Sequence, residues 1–250
     1  MAGSAPERAA AEWARDQRQF AFVKQDPNDN FNLKLVVGDP AVNATRVVQS
    51  SDNPGAMTWL RKANTVAYAG EKGVWSVNAG GGLALPIDPG HSAGYGLLRL
   101  SPDGTRLAYI DSGYNLDVVN VDGTGFRQLW SSPDGEIQGL SWSPDSSRIV
   151  VDGNDGTPKL FTVSTDGSGL RPIAECSCFW PAWSPGGSAI ATVESPIGTN
   201  DTLRLIAPDG SRIRTLATST SGTSIVINGG WNPDNERIVF AVYLRTSSPS

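Results

Sequence analysis

The sequence predicts an all-β fold, a β-propeller made of four-stranded antiparallel blades. A ten-residue phrase, "WSPDSSRIVV" from Trp142, recurs in similar form from Leu100, Trp183 and Trp231. The copies are about 40 to 50 residues apart, the repeat length of a propeller whose blades each contribute four short strands. The 28 Gly and 17 Pro residues, with only 18% charged residues, are typical of strands joined by tight turns.

The repeat divides the chain into six units, each with an innermost strand that ends at an apolar anchor. The anchors are Trp13, Trp59, Leu100, Trp142, Trp183 and Trp231. We expect the propeller to span residues 13–244, with residues 1–12 as a short helix or an added tail and residues 245–250 as a tail. A large flat ring buries much apolar area between neighbouring blades. We therefore assign a structural role to Trp59, Trp142, Trp183 and Trp231.

Each unit is predicted to contain strands joined by turns of recognisable chemistry. In the fourth unit "IQGLSW" leads into a Ser-Pro-Asp turn, "RIVVD" follows, and "KLFTVS" and "LRPIA" flank an Asp-Gly turn. Pro presets φ for a tight turn, Asp can bond its own backbone, and Gly tolerates positive φ. The strands are nearly continuously apolar, which fits sheets packed on both faces.

The first and last units leave the closure of the ring open. The first has a poor candidate for an inner strand, "ERAAAEW", and the last supplies two strands, "TSIVINGGW" and "ERIVFAVYL". We expect six blades with an incomplete last blade; the alternative is five blades, with C-terminal residues completing the first. Strands from another chain are a third solution, because an exposed sheet edge invites pairing. Self-association through the incomplete blade is thus one predicted kind of partner.

Charge and hydropathy disfavour a nucleic-acid-binding protein and a membrane-spanning protein. The net charge of −5 disfavours a nucleic-acid partner, which usually meets a basic stripe. The sequence has no run of 18 apolar residues and so predicts no membrane span. Its first residues lack the apolar stretch of a signal peptide, which predicts a cytoplasmic protein if Met1 is native. Cys176 and Cys178 are interpreted as two small thiols, because alternate residues of an extended strand are too far apart for easy bridging.

The repeated phrases resemble the Trp-Ser-Pro-Asp-Gly repeats of TolB-type β-propellers. The resemblance covers nearly the whole chain and is strongest over residues 100–173. It is weakest in the first two units, where Ala14–Gln17 and Leu60–Lys62 replace the usual turn sequence. The resemblance implies a propeller, commonly six-bladed, that binds other proteins at the cell envelope. It therefore implies a periplasmic or extracellular location.

Binding residues are expected on the variable loops between second and third strands and between blades. The candidates on these loops are Tyr95, Tyr114, Trp130, Phe179, Trp180 and His91. Aromatic rings with a few polar neighbours suit contact with a protein or a sugar. The sequence lacks nucleophile elbows, zinc-binding helices and phosphate-binding loops, so we expect no catalytic residue and no cofactor.

These features predict a non-enzymatic scaffold that binds another protein through its variable loops. One alternative is a propeller that binds a carbohydrate or small ligand through Trp130, Phe179 and Trp180. A metal-dependent hydrolase is a less favoured alternative.

Two acidic loops are weak calcium candidates. One contains Asp26, Asn28 and Asn30, and the other contains Asp152, Asn154 and Asp155. Oxygen ligands at alternate positions are a feature of calcium loops. However, the central Gly and the distal Glu of an EF-hand are missing, and Asn and Asp are also common in ordinary turns.

Overall fold

The computed structural model describes residues 11–26, 29–50, 52–62, 64–93, 97–132, 137–234 and 237–244, without the side chains of residues 29–31 and 228–229. Over these ranges the chain forms strands and turns and no helix. The described strands run from Glu12 to Leu244 and pair into six antiparallel sheets, five of four strands and one of two.

The first three sheets follow the chain in order. Sheet 1 contains β1 (Glu12–Trp13), β2 (Phe20–Asp26), β3 (Asp29–Asp39) and β4 (Ala44–Gln49). Sheet 2 contains β5 (Ala56–Trp59), β6 (Thr65–Gly70), β7 (Gly73–Asn78) and β8 (Leu85–Asp88). Sheet 3 contains β9 (Leu98–Leu100), β10 (Arg106–Ile110), β11 (Asn115–Asn120) and β12 (Arg127–Ser131).

The last three sheets continue the same pattern. Sheet 4 contains β13 (Leu140–Trp142), β14 (Arg148–Asn154), β15 (Pro158–Ser164) and β16 (Arg171–Glu175). Sheet 5 contains β17 (Cys178–Trp183), β18 (Ile190–Glu194), β19 (Thr202–Ile206) and β20 (Ile213–Thr218). Sheet 6 contains β21 (Thr223–Trp231) and β22 (Ile238–Leu244).

The inner strand of every sheet ends on the anchor residue predicted from the repeat. Each anchor pairs with the residue seven positions later, as in Trp142 with Ile149 and Trp183 with Ile190. The all-β prediction and the four-stranded antiparallel blade are therefore confirmed. The first strand of sheet 1 is its own short strand β1.

The chain divides into two compact units. The first comprises residues 1–100, 104–113 and 117–127, and the second comprises residues 101–103, 114–116 and 128–250. In the first unit, the indole N–H of Trp59 donates a 2.9 Å hydrogen bond to the Glu12 carbonyl of the neighbouring sheet. In the second unit, Trp231 donates a 3.0 Å bond to the Ala182 carbonyl in the same way.

The anchor tryptophans lie in or beside the apolar cores of their units. Trp59, Trp142 and Trp183 are each 7% exposed, and Trp231 is half-buried. Trp59 packs with Val66 and Tyr68 in the first unit, and Trp183 packs with Ile190 and Ile206 in the second. The same clusters include Leu35 of sheet 1 and Val150 of sheet 4, so each ring lies in an apolar core to which two sheets contribute.

Antiparallel pairing sorts the connections of each four-stranded sheet to two ends. The first-to-second and third-to-fourth connections lie at one end, here called the turn end. The second-to-third connection lies at the opposite end, here called the loop end, where the chain also leaves the fourth strand. This arrangement places the variable segments of each sheet at its loop end, where binding residues usually concentrate.

Candidate functional site

The structure distributes the predicted binding residues over several sheets. Tyr114 lies in the β10–β11 connection and is 52% exposed. Trp130 belongs to β12, and Phe179 and Trp180 belong to β17. His91 lies in the β8–β9 connection, and Tyr95 lies outside the described residues.

The segment before Phe179 contains a disulfide that the sequence interpretation missed. Cys176 and Cys178 are bonded to each other, with their Cα atoms 5.1 Å apart and both side chains buried. The expectation of two separate thiols was wrong because it assumed an extended chain. The segment lies between the end of β16 and the start of β17, where the Cα atoms come within the range that a disulfide needs.

Trp180 occupies a strained position that one carboxylate stabilises. Its φ is 55°, in the left-handed region that bulky residues rarely adopt. The pairing of β17 with β18 shifts register between Phe179 and Ala182, which marks a bulge. The Trp180 backbone N–H donates a 3.1 Å hydrogen bond to Oδ2 of Asp152. This bond holds the bulge against sheet 4.

The carboxylate of Asp152 accepts hydrogen bonds from several backbone N–H groups. Its Oδ1 accepts hydrogen bonds from the backbone N–H of Gln138 at 2.7 Å and of Gly139 at 2.9 Å. The residue is 2% exposed. Charge-assisted bonds of this kind are stronger than neutral ones, so the carboxylate ties the start of sheet 4 to the β17 bulge.

Phe179 and Trp180 present a fixed pair of rings at the loop end of sheet 5. Their ring centroids are 6.0 Å apart at an interplanar angle of 48°. Trp180 packs beside Val193, Leu203 and Ile225, and both rings stay half-buried. The Phe179 carbonyl accepts a 2.9 Å bond from the Thr192 hydroxyl. The pair is therefore a preformed aromatic surface, which we call the β17 bulge surface (residues 176–180).

The ring of Trp130 packs against residues of sheet 4. Its ring lies 4.8 Å from the ring of Phe161 at an angle of 42°. It also covers Gly153 so closely that a Cβ there would overlap the indole. A glycine is thus required beneath this ring, and Trp130 is half-buried.

An exposed apolar residue that sequence reasoning missed lies at the same end of sheet 5. Ile197, in the β18–β19 connection, is fully exposed. Its signal in the sequence was an isolated large apolar residue inside the polar loop "ESPIGTND". Like Phe179, it lies at the loop end of sheet 5.

His91 belongs to a separate cluster in the first unit. Its Nδ1 lies 3.0 Å from Oδ2 of Asp88, and its ring stacks on Phe126 with centroids 3.9 Å apart. The Tyr109 hydroxyl donates to the same Asp88 oxygen. The histidine is thus paired and stacked within the protein.

Asp117 is a buried carboxylate close to this cluster, and sequence reasoning missed it. It is 1% exposed, and neither of its oxygens has a hydrogen-bond partner among the described residues. Burial raises the pKa of Asp117 to about 7, with a further increase from the charge of Asp111. The signal in the sequence was a lone charge in the apolar strand "NLDVVN".

The oxygens of the described calcium candidates already have partners within the protein. Asp26 pairs with Lys34 at 2.5 Å, and Asp155 pairs with Lys159 at 2.7 Å. The Asn154 side chain accepts a bond from Gly156, and Asp152 accepts the backbone bonds given above. Asn28 and the side chain of Asn30 lie outside the described residues. The described oxygens of these two loops therefore take part in turn and ion-pair contacts.

Two properties of the described residues bear on metal and membrane sites. Among them, no group of three or more His, Cys, Asp and Glu side chains is arranged to hold a metal ion. The same ranges contain no helix that is long and apolar enough to cross a membrane.

The fold and repeat define a TolB-like β-propeller. A family model described as the lipoprotein LpqB β-propeller domain matches residues 1–178. Since this match covers more than half of the chain, the chain belongs to that family. No curated protein matches the sequence.

Solved structures with the same fold include proteins of different kinds. TolB from Acinetobacter baumannii is 14% identical, with a TM-score of 0.60 over 84% of this chain and 54% of that chain. A putative TolB from Agrobacterium tumefaciens is 18% identical, with a TM-score of 0.60 over 96% and 91%. An oligogalacturonate lyase in complex with manganese is 14% identical, with a TM-score of 0.69 over 89% and 67%.

At sequence identities of 14% to 18%, the similarity to these three structures shows the fold of this chain and not its function. The chain spans about half the length of the Acinetobacter TolB.

Proposed function

We propose that this chain is a non-enzymatic scaffold that binds a partner protein through the loop end of sheet 5. The observation that carries this proposal is the set of bonds that brace the β17 bulge surface. A disulfide, the Asp152 carboxylate and the Thr192 hydroxyl all hold the segment that presents Phe179. A surface that is ordered before binding loses little conformational freedom when a partner arrives.

The chemistry of the exposed groups supports a protein partner. Phe179 and Trp180 are half-buried rings, and Ile197 adds a fully exposed aliphatic side chain at the same end of the sheet. Aromatic side chains are enriched where protein interfaces become buried, and a few well-placed anchors supply most of the affinity. Tyr114 adds an exposed ring at the loop end of its own sheet.

The experiment that tests this proposal compares partner capture by matched variants. Phe179→Ser and Ile197→Ser should each reduce the amount of a specific co-purified protein. Leu83→Ser is the control, because Leu83 is 86% exposed but lies in the β7–β8 connection, at a turn end. Equal capture by all three variants would show that the partner does not bind at the loop end of sheet 5.

We also propose a location at the cell envelope. The name of the matched family includes a lipoprotein, and the Cys176–Cys178 disulfide suits an oxidising compartment. Fractionation of the source cells tests this point. Recovery in the cytoplasmic fraction with both cysteines reduced would contradict it.

Ligand-binding and enzymatic alternatives have weaker support. A carbohydrate site at Trp130, Phe179 and Trp180 would use rings of which Trp130 already packs against Phe161. The oligogalacturonate lyase shares the fold and is described with manganese, but the described residues offer no grouped ligands for such a metal. Cleavage of oligogalacturonate by the purified protein with added manganese would favour the enzymatic alternative.

Self-association is a second candidate, favoured by the exposed strand β22. Val239, Val242, Tyr243 and Leu244 are between 49% and 81% exposed on this strand. Among the described strands, β22 pairs with β21 alone. An apolar edge strand can accept another strand through backbone hydrogen bonds. Light scattering that gives a monomer mass at high concentration would remove this candidate.

A further inference from the structure

A cleft lies at the turn ends of sheets 1 and 2, within the first unit. Its volume is about 410 Å³, and the anchor Trp59 is one of the residues that line it. Four basic side chains line it: Arg15, Arg18, Arg61 and Lys62. The whole chain has a net charge of −5. The cleft is therefore locally rich in positive charge, although the chain as a whole carries a net negative charge.

The four basic groups of this cleft form no ion pair with the described residues, whereas Lys34, Lys159 and Arg204 all do. Two carboxylates also line the cleft. Asp16 accepts a 3.0 Å bond from the backbone N–H of Arg18, and Asp39 accepts one from Ala41. The cleft thus has a surplus of two positive charges.

Comparison with the other repeats shows that these turns can form without arginine. In all six sheets the anchor pairs with the residue seven positions later. The same backbone bond closes the turns that start at Ala14, Leu60, Ser143 and Ser184. The second turn position holds Arg15 and Arg61 in the first two repeats and Pro102, Pro144, Pro185 and Pro233 in the others. Since proline serves the turn at least as well, turn formation does not explain these arginines.

One of the arginines is also held in place by a neighbouring sheet. The aliphatic stem of Arg61 lies against Gly104, so closely that a Cβ at Gly104 would overlap it. Gly104 has a φ of 78°, which an ordinary side chain rarely adopts. The stem is therefore packed while the side chain as a whole stays exposed.

We propose that this cleft binds a phosphate group, as the free ion or as the monoester group of a ligand. Guanidinium groups match phosphate oxygens through paired N–H donors, and lysine adds a point charge. A phosphate monoester carries about −1.5 to −2 charges at neutral pH, which balances the surplus in the cleft. This site does not depend on the partner surface at the loop end of sheet 5, and either can fail without the other.

Calorimetric titration with inorganic phosphate tests the proposal on the full chain. We expect saturable binding that weakens with added salt, because exposed charges are screened. Arg15→Gln and Arg61→Gln should each weaken binding by about tenfold, since each removes a charge-assisted contact. The matched control is Arg214→Gln, which removes an exposed arginine from β20. It should leave the affinity unchanged.

Co-sedimentation separates the two sources of phosphate. The probes are phosphatidylcholine vesicles with and without phosphatidic acid. Sedimentation only with the vesicles that contain phosphatidic acid, reversed by added inorganic phosphate, would support the proposal and identify a lipid headgroup as the ligand. Binding of free phosphate without sedimentation would support it with a soluble ligand. Absence of saturable phosphate binding, or equal loss in the Arg214→Gln control, would overturn it.

Discussion

Replacement of Asp152 by alanine should be among the most damaging single changes in the protein. The carboxylate is 2% exposed and accepts three backbone hydrogen bonds, from Gln138, Gly139 and Trp180. A hydrogen bond to a charged group is worth about 1.5–3 kcal/mol net, and a buried donor left without an acceptor costs about 1–3 kcal/mol. Removing the buried charge recovers part of its desolvation. We therefore expect a loss of about 3–5 kcal/mol in the free energy of unfolding.

Chemical denaturation measures this loss, with Asp155→Ala as the matched control. Asp155 is three residues away, but its carboxylate is exposed and pairs with Lys159, so its removal should change stability little. Asp152→Asn should resemble Asp152→Ala, because its amide nitrogen would face a backbone donor. Hydrogen exchange of the three amides should accelerate in the Asp152 variants. Equal midpoints for Asp152→Ala and Asp155→Ala would refute the assigned role of this carboxylate.

Three further predictions follow from the structure. Because the pKa of buried Asp117 is raised to about 7, the folded state holds a proton that the unfolded state releases near pH 4. Stability should therefore fall as the pH rises from about 4 to about 7. Denaturation across this range should show a flatter profile for Asp117→Asn, and parallel profiles would contradict the burial argument. Trp142→Ala should cost about 3–5 kcal/mol, while Trp13→Ala, at a ring 53% exposed, should cost far less in the same denaturation assay. Finally, Cys176 and Cys178 should resist alkylation in denaturant until a reductant is added, and mass spectrometry that finds both alkylated without reductant would exclude their disulfide.

The repeat could be predicted from the sequence because its determinants are local. Each anchor is followed by turn chemistry that acts within seven residues, so Trp142 and Trp183 mark strand ends without knowledge of the rest of the fold. Strand β1 was harder to predict because it is two residues long. It depends on pairing with β2 more than on its own composition.

The candidate site was less predictable because its geometry depends on contacts distant in the chain. Asp152 was a calcium candidate, but its Oδ2 accepts a bond from Trp180, which lies 28 residues further on. The disulfide required a departure from the extended conformation that spacing alone does not indicate. By contrast, Arg15 and Arg61 were visible as departures from the repeat, although their shared cleft required the structure.

The most direct test of the account is site-specific photo-cross-linking in the source cells. A photoreactive phenylalanine at position 179, and separately at position 197, places the probe on the loop end of sheet 5. The same probe at position 83 is the control at a turn end. The account predicts a light-dependent adduct with one distinct protein from positions 179 and 197, and none from position 83. Adducts of equal yield from all three positions, or from position 83 alone, would contradict a partner surface at the β17 bulge.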